Sequence, residues 1–384
     1  MQLNHSQRFD NLDVVRFIIA LLLIFFHSYS GWKENFGSPS FVLNEAGNNF
    51  SQTGLYFDRF IRNLTLGGDV FFLISGFLIA MTLLREQDAS GDIYIRGFYM
   101  RRALRILPLY ILVIALSPLL TGLLGENDPN YLSWIFLYGN NELAYNGWGP
   151  MATNFLWFIT IEMQFYIVIP VALVIIRRKY LPLFFLLLIF ASFLFRIYSF
   201  KSAIPWNMIY LHTFSRMDAL LVGCWFGLVF YQRKNLLAST SLPMKLIVYI
   251  AFIYLLFVDD YTNYGTLFAA TTKKYTYLAF TSFILANFVF NSPAKKGRVG
   301  WNIFSRMGRA SYGLFIYSNL AAVVMIDVCK NQPSIKNFWL YLLIINIIVI
   351  PLALLSYNYI ELPIMNLKRF FVRALPAQKT EQVS

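Results

Sequence analysis

Long apolar runs are the feature that most constrains this 384-residue chain. A helix needs about 20 largely apolar residues to cross the hydrocarbon core of a bilayer, and runs of that length recur from one end of the chain to the other. Hydrophobic residues make up 58% of the chain and charged residues only 13%, which is more apolar than a soluble domain requires. The sequence therefore predicts an all-α integral membrane protein, a polytopic bundle of about ten transmembrane helices.

The apolar runs also predict the domain organisation. We place the spans at residues 13–31, 66–84, 104–124, 154–176, 181–200, 209–231, 244–258, 274–291, 309–329 and 337–358. The seventh is short, and the stretch "DDYTNYGTLFAATTKKY" after it could contain part of another span or lie along the interface. No internal repeat and no fused soluble domain are visible in the sequence. We therefore expect one membrane domain over residues 1–384, with a core of about 8–372 and a short cytoplasmic tail at 373–384.

The basic residues predict how the bundle is oriented. The chain carries a net charge of +13, and most of its 32 basic residues fall in alternate connecting segments. The intervening segments hold only Lys33, Arg59, Arg62, Lys201, Lys273, Lys274, Lys330 and Lys336. By the positive-inside rule, the segments rich in basic residues and both termini are cytoplasmic. This distribution accounts for the positive charge without a nucleic-acid partner.

The first span contains two ionisable residues in the run "RFIIALLLIFFH", which begins with Arg16 and ends with His27. Eleven helical steps correspond to about three turns, so both side chains share one face, about 16 Å apart along the axis. Asp13 lies on the same face and can pair with Arg16. Arg16 could instead extend to lipid phosphates, and His27 could form a hydrogen bond between helices. An ionisable residue deep in a span nevertheless indicates function by default.

Three further segments carry polar residues within or beside apolar spans. The segment "GGDVFFLISGFL" contains Asp69 among small residues that permit close helix packing. In "FYMRRALRILPLY", Arg102 and Arg105 lie one turn apart and are suited to phosphate oxygens, although such charges also serve to set topology. The segment "WFITIEMQFYIVIP" places Glu162 about a turn after Trp157. A carboxylate in that apolar helix must be paired, protonated or hydrated.

Two segments in the second half of the chain complete the set of candidates. In "RMDALLVG", Arg216 and Asp218 lie near a span and could neutralise each other. In "YIELP", Glu361 lies at the predicted cytoplasmic end of the last span, where it could act only as a helix cap before Pro363.

Taken in order, these segments, together with "ASYGLFIY", resemble the acyltransferase type 3 family of bacterial membrane proteins over nearly the whole chain. This family includes O-acetyltransferases of O-antigens, Nod factors and other surface glycans. The opening "RFDNLDVVRFIIALLLIFFHSY" is similar to the family's first motif, in which an arginine and a histidine are separated by ten residues. Many relatives carry a histidine where this chain has Ser318, so the resemblance leaves His27 as the main catalytic candidate.

The resemblance implies a membrane-bound O-acyltransferase in the bacterial plasma (inner) membrane. It would transfer acetyl, or another acyl group, from cytoplasmic acetyl-CoA to a hydroxyl of a carbohydrate or glycolipid acceptor. His27 would act as a general base or as an acyl carrier, with Glu361 as an orienting or electrostatic partner. Arg16, Arg102 and Arg105 would bind the CoA phosphates. The predicted supporting residues are Asp13, Asp69, Trp157, Glu162, Arg216 and Asp218.

Aromatic residues in the predicted outer loop suggest where the acceptor binds. The segment "LYGNNELAYNGWGPMATNFLWF" contains Tyr138, Tyr145 and Trp148 among Asn and Gly residues and has no basic residue. That composition suits stacking on sugar rings and equally suits an aromatic belt at the membrane interface. Transfer to the acceptor would be completed by the membrane domain or by a separate periplasmic partner.

Two other functional classes compete with the enzyme hypothesis. A polytopic transporter or flippase would also carry intramembrane charges, but the sequence lacks the repeated halves and paired broken helices typical of transporters. A structural or sensory membrane protein would not need Arg16, His27, Arg102 and Arg105 together. The three histidines and two cysteines show no metal-ligand spacing, so we expect no metal, and His212 is expected to be structural.

Overall fold

The computed structural model describes residues 10–44, 47, 49–232, 240–290, 299–332 and 336–371. Within these ranges the chain is helical, and its only β-type pairing is an isolated bridge between Leu43 and Phe50. Ten principal helices form the described bundle. They are α1 (Asp10–Phe36), α2 (Leu66–Ser90), α3 (Ile95–Leu124), α4 (Trp157–Ile175), α5 (Leu181–Lys201), α6 (Thr213–Gln232), α7 (Leu242–Val258), α8 (Lys273–Phe290), α9 (Ser311–Asn331) and α10 (Phe338–Ser356).

These helices confirm the prediction of an all-α polytopic membrane protein. Each predicted span coincides with one principal helix, and eight helical stretches of the described chain are long and apolar enough to cross a membrane. The exceptions are α7, which has only 17 residues, and α8, which begins with two lysines. The count of ten crossings and the cytoplasmic position of the termini therefore stay predictions. The predicted limits at residues 8 and 372 and the tail at 373–384 lie outside the described residues.

Two amphipathic helices were not predicted because they are too short and too polar to resemble a span. Gln52–Asn63 is capped by the Ser51 hydroxyl, which accepts a hydrogen bond of 2.9 Å from the Gly54 backbone N–H. Val299–Arg309 packs along α1, where the rings of Phe304 and Phe17 stack with their centroids 5.7 Å apart. Gln52–Asn63 packs on α7 in the same way that Val299–Arg309 packs on α1.

The most extensive helix–helix contact joins α2 and α6. Glycines on both helices allow the two backbones to touch, because a Cβ at Gly76 would lie 2.0 Å from the carbonyl oxygen of Leu220 and one at Gly223 would lie 2.2 Å from that of Leu73. The Cys224 thiol donates a 3.2 Å hydrogen bond to the Gly76 carbonyl oxygen across the same contact. Small residues at helix interfaces permit this approach in membrane proteins. The contact fixes the wall from which the charged residues of both helices project.

This contact makes a prediction for two glycine substitutions. Gly76→Ala forces a methyl group against the α6 backbone, and we expect a loss of about 1–3 kcal/mol in the free energy of unfolding, as for other overpacked sites. Gly122→Ala on α3 is the matched control because its Cβ meets no atom within 4 Å, so it should be neutral or stabilising. Thermal unfolding of the purified proteins in detergent measures both changes. Equal midpoints for the two variants would contradict the backbone contact.

Candidate active site

A cavity with about 930 Å³ of empty space, part of it open to the exterior, lies between α1, α2, α3, α4, α6 and α9. Most of the predicted site residues line it, although they come from distant parts of the sequence. These residues are Arg16, His27, Arg102, Arg105, Trp157, Glu162 and Arg216. Four arginines and one glutamate give the cavity an excess of positive charge.

His27 lies in the second half of α1 and is partly exposed in this cavity. The centroid of its imidazole ring lies 5.0 Å from that of Phe26 and 6.2 Å from that of Phe315, both in edge-on contacts. Among the described residues, no side chain or backbone group forms a hydrogen bond with either ring nitrogen. The imidazole is therefore held by apolar packing, and its nitrogens are available to a bound molecule.

Arg102 and Arg105 project from the first half of α3. The Arg102 guanidinium lies 5.1 Å from the ring centroid of Tyr166 and 5.4 Å from that of Phe98, distances typical of cation–π contacts. Neither arginine forms an ion pair with a carboxylate in the part of the chain that the structure describes. By contrast, Arg101 points elsewhere and pairs with Glu86 at 2.8 Å. Arg102 and Arg105 therefore keep positive charge available for a ligand.

Arg16 enters the same end of the cavity from α1. It is 8% exposed, and its guanidinium lies 4.0 Å from the carboxylate of Asp13 one turn earlier, at the outer limit of an ion pair. Its Nε atom has no hydrogen-bond partner among the described residues. Asp13 does not line the cavity.

Glu162 connects two walls of the cavity. Its Oε1 atom accepts a hydrogen bond from the Ser75 hydroxyl of α2 and one of 2.5 Å from the Tyr166 hydroxyl of α4. The carboxylate also interacts electrostatically with Arg16 and Arg102. The sequence identified Glu162 but gave no indication of Ser75 or Tyr166 as its partners.

A cluster of buried ion pairs, which we call the ion cluster, supports the cavity wall formed by α2 and α6. Asp69 pairs with Arg216 at 3.3 Å and with Lys274 at 3.3 Å, and it also accepts a hydrogen bond from the Tyr261 hydroxyl. Lys274 in turn lies 2.5 Å from Asp218. Because each charge has opposite charges beside it, the cluster offsets the large cost of placing ions inside the bundle.

Arg216 and Asp218, which could neutralise each other on the sequence alone, form no ion pair with each other in the described chain. Asp218 instead pairs with Lys274 and with Arg196 of α5, which is also part of the ion cluster. Arg196 is 2% exposed and was missed at the sequence level, although a lone arginine in the run "FASFLFRIYSF" is a signal that could have identified it. From the sequence, Lys274 was identified only as a basic residue of a connecting segment and not as part of a buried ion pair.

Arg216 links the ion cluster to the cavity. Its guanidinium lies 5.3 Å from the ring centroid of Trp157 and 5.0 Å from that of Tyr210. Trp157 was predicted as a supporting residue without a stated partner, and Tyr210 was not identified from the sequence. Asp69 and Asp218 are fully buried behind this arginine and do not line the cavity.

Glu361 also lies outside the lining of the cavity. It ends a π-helical turn, Tyr357–Glu361, is 3% exposed, and accepts a 3.4 Å hydrogen bond from the Ser356 hydroxyl. The carboxylate interacts electrostatically with Arg105. This position places Glu361 with the basic end of the cavity, and no contact within the described ranges joins it to His27.

Ser318 and His212 make contacts that stabilise the fold and do not face the cavity. The Ser318 hydroxyl is buried and donates a 2.9 Å hydrogen bond to the Phe315 carbonyl oxygen within α9. His212 lies outside the cavity, with its ring stacked on that of Phe195 at 4.8 Å, and its Nδ1 atom accepts a hydrogen bond from the Phe214 N–H. In the described ranges, no three potential metal ligands come together.

The aromatic residues of the predicted outer loop separate into two groups. Tyr138 and Tyr145 line a shallow surface depression together with Glu142. Trp148 instead lies beside Trp206 and Tyr210, with ring centroids 6.4 Å and 6.3 Å away, at the edge of the site. Of these three rings, Trp148 is therefore the one placed near the cavity.

Comparison with known proteins identifies the family. The model of a family described as an acyltransferase domain matches residues 9–358. The chain belongs to the acyltransferase type 3 family. Family membership favours an acyltransferase over the alternative of a transporter or flippase. No solved structure matches the chain.

Curated relatives carry names that agree with this family. The chain is 27% identical to "putative peptidoglycan O-acetyltransferase YrhL" of Bacillus subtilis (strain 168), over 83% of this chain and 54% of that protein. It is 27% identical to a "putative O-acetyltransferase" of Staphylococcus aureus (strain COL), over 78% of this chain and 52% of that protein. It is 25% identical to "O-acetyltransferase OatA" of Staphylococcus aureus (strain MRSA252), over 82% of this chain and 55% of that protein. The chain thus spans about half the length of these relatives.

Proposed function

We propose that this protein is an O-acetyltransferase that moves an acetyl group from cytoplasmic acetyl-CoA to a hydroxyl of a cell-envelope carbohydrate. The observation that carries the proposal is one cavity that has His27 at one end. At its other end lie Arg102 and Arg105, which form no ion pair within the described chain. The names of the curated relatives support acetyl as the group transferred and a cell-wall glycan as the acceptor class. Membership of the family supports a location in the bacterial plasma membrane.

The basic end of the cavity fits the phosphates of the donor. Arg102 and Arg105 form no ion pair in the described chain, where Glu162 and Glu361 act on them only at longer range, and the nearest carboxylate paired with Arg16 is Asp13 at 4.0 Å. Guanidinium groups bind phosphate oxygens through paired, charge-assisted hydrogen bonds. A CoA molecule bound here would supply the negative charge that this end of the protein lacks.

The separation of Arg16 and His27 suits the shape of CoA. Arg16 and His27 share a face of α1 and lie about 16 Å apart along its axis. The pantetheine arm of CoA is a long, narrow chain of comparable length, and it ends in the acyl thioester. Phosphates held near Arg16 therefore allow the thioester to reach the imidazole of His27.

His27 is our proposed catalytic residue because an alcohol attacks a thioester efficiently only when a base removes its proton. A neutral imidazole can accept that proton near pH 7. The hydroxyl oxygen then bonds to the acetyl carbon, the carbon–sulfur bond breaks, and the imidazolium returns the proton to the CoA thiolate. In the alternative route the imidazole takes the acetyl group first and passes it to the hydroxyl.

Three carboxylates near the basic end would act by positioning the groups that bind the donor. Glu162 accepts hydrogen bonds from both α2 and α4, and so joins two walls of the cavity. Asp13 lies beside Arg16, and Glu361 interacts electrostatically with Arg105. Each carboxylate would therefore hold an arginine or a helix in place without contacting the reacting atoms.

The ion cluster would hold the wall opposite the basic end. Asp69 and Asp218 are buried and fix Arg216 and Lys274, and Arg216 lies against Trp157 in the cavity. Buried carboxylates paired in this way set the position of a guanidinium more rigidly than solvent-exposed partners do. We therefore assign Asp69, Asp218 and Trp157 positioning roles, with Arg216 as the member of the cluster that faces the substrates.

The donor site makes a prediction for neighbouring arginines. Arg102→Gln removes one positive charge from the cavity, and we expect the KM for acetyl-CoA to rise about tenfold, as for the loss of one charge-assisted contact. Arg101→Gln is the matched control because that side chain pairs with Glu86, and its KM should change less than about twofold. Initial rates of acetyl transfer by the purified proteins measure both values. Equal effects of the two substitutions would contradict a donor site at Arg102.

The catalytic assignment makes a prediction for His27 and His212. His27→Asn removes the proposed base, and we expect O-acetylation of cell-envelope glycans to fall at least about 100-fold at equal protein abundance. His212→Asn keeps a hydrogen-bond acceptor outside the cavity and should preserve the modification. Mass spectrometry of glycans from cells with the intact chain, a deletion and each variant measures the acetyl increment. Full modification by His27→Asn would refute the catalytic role.

A further inference from the structure

A second cavity, with about 1090 Å³ of empty space and open to the exterior, adjoins the candidate active site. We call it the aromatic vestibule. It is lined by Phe26, Thr65, Trp148, Trp206, Tyr210, Thr262, Asn263, Tyr264 and Gly265. All of these residues lie in the described ranges, and none of them is charged. The lining therefore combines aromatic rings with neutral hydrogen-bonding groups.

The vestibule adjoins the active-site cavity and shares part of its wall. Thr65 and Tyr210 line both cavities, and their hydroxyl oxygens lie 3.1 Å apart. Phe26 of the vestibule directly precedes His27 of the active site on α1. A molecule in the vestibule would thus lie at the end of the cavity that holds the imidazole, away from the arginines of α3.

The aromatic rings form a connected surface. The ring centroid of Tyr210 lies 5.7 Å from that of Trp206 and 6.5 Å from that of Tyr264. Trp148 and Trp206 are 45% and 49% exposed, although tryptophan is usually well buried. Because the described protein does not cover these rings, their faces are available to a ligand.

Hydrogen bonds hold the loops that carry these rings. The side chain of Asn154 accepts from the Gly149 N–H at 3.0 Å and donates to the Gly149 carbonyl oxygen at 2.7 Å, next to Trp148. On the other side, the Asn63 amide donates to the carbonyl oxygens of Leu256 and Asp259 at 2.8 Å and 2.7 Å. The vestibule is therefore built before a ligand arrives, which lowers the entropic cost of binding.

This chemistry fits a neutral carbohydrate. The faces of sugar rings present polarised C–H groups, which pack on the electron-rich faces of aromatic rings. Sugar hydroxyls and acetamido groups can accept a hydrogen bond from the Asn263 amide nitrogen, while the Asn263 side-chain oxygen accepts from the Gly265 N–H and the Thr262 hydroxyl donates to Asp260. The absence of charge among the described lining residues argues against a phosphate-rich ligand, which would require cations.

We infer that the aromatic vestibule binds the acceptor carbohydrate and presents one of its hydroxyls to His27. The inference rests on the proposed function and adds the acceptor site to it. Thr65 and Tyr210, at the junction of the two cavities, would contact the sugar unit that is acetylated. Trp148 and Trp206 would hold the neighbouring unit farther out.

The test uses the full chain in lipid nanodiscs, with chitotetraose as the acceptor probe. Trp206→Ala should raise the KM for chitotetraose about tenfold and leave the KM for acetyl-CoA unchanged, because one aromatic contact is lost from the acceptor site alone. Trp206→Phe, which keeps a ring, should recover most of the affinity. Trp339→Ala is the matched control, since that tryptophan is 54% exposed on α10 and lies outside both cavities.

Saturation-transfer difference NMR measures binding of the probe without turnover. Loss of the signal in Trp206→Ala but not in Trp339→Ala supports the vestibule. The vestibule is overturned if Trp206→Ala and Trp339→Ala give equal signals, or if the unmodified protein gives no signal. If acetyl transfer is still observed in that case, the proposed function stands. A Trp206-dependent signal without any acetyl transfer supports the vestibule as a carbohydrate site and contradicts the proposed function.

Discussion

The backbone contact between α2 and α6 is the constraint on which the centre of the molecule depends. Glycines at positions 76 and 223 bring the two helices together, and this approach sets the 3.3 Å distance between Asp69 and Arg216. Arg216 in turn contacts both Trp157, in the active-site cavity, and Tyr210, at the junction with the aromatic vestibule. Small residues without chemical function thereby determine where the charged and aromatic groups lie.

The two sets of buried charges differ in how they are compensated. In the ion cluster, Asp69 and Asp218 neutralise most of the positive charge of Arg196, Arg216 and Lys274. At the other end of the cavity, Arg102 and Arg105 form no ion pair within the described chain and are only partly compensated, at longer range, by Glu162 and Glu361. Uncompensated charge inside a bundle is costly. An anionic ligand would offset that cost, so binding of the donor would also stabilise the folded protein.

Much of this organisation could be predicted from the sequence. The apolar runs identified the ten principal helices, since a membrane helix must carry its apolar residues contiguously. The spacing of Arg16 and His27 placed them on one face, and both line the same cavity. These features depend on local periodicity, which is visible in a single sequence.

Features that depend on contacts between distant segments could not be predicted. Arg216 and Asp218 are two residues apart and point to different sides of α6, so each finds its partners on other helices. Tyr210 and Trp206 gain their significance only because Trp148 and Tyr264 fold beside them from other loops. The number of membrane crossings also depends on how the short helix α7 sits in a bilayer.

The central claim is that one connected route has a donor end and an acceptor end on opposite faces of the membrane. Labelling of single cysteines with a membrane-impermeant thiol reagent tests it most directly, because Cys224 and Cys329 are buried. Asn263→Cys places a thiol in the aromatic vestibule, and Arg96→Cys places one at an exposed position in the first turn of α3, the helix that carries Arg102 and Arg105. We predict that spheroplasts label only Asn263→Cys and that inverted membrane vesicles label only Arg96→Cys. Labelling of both from the same side would contradict the account.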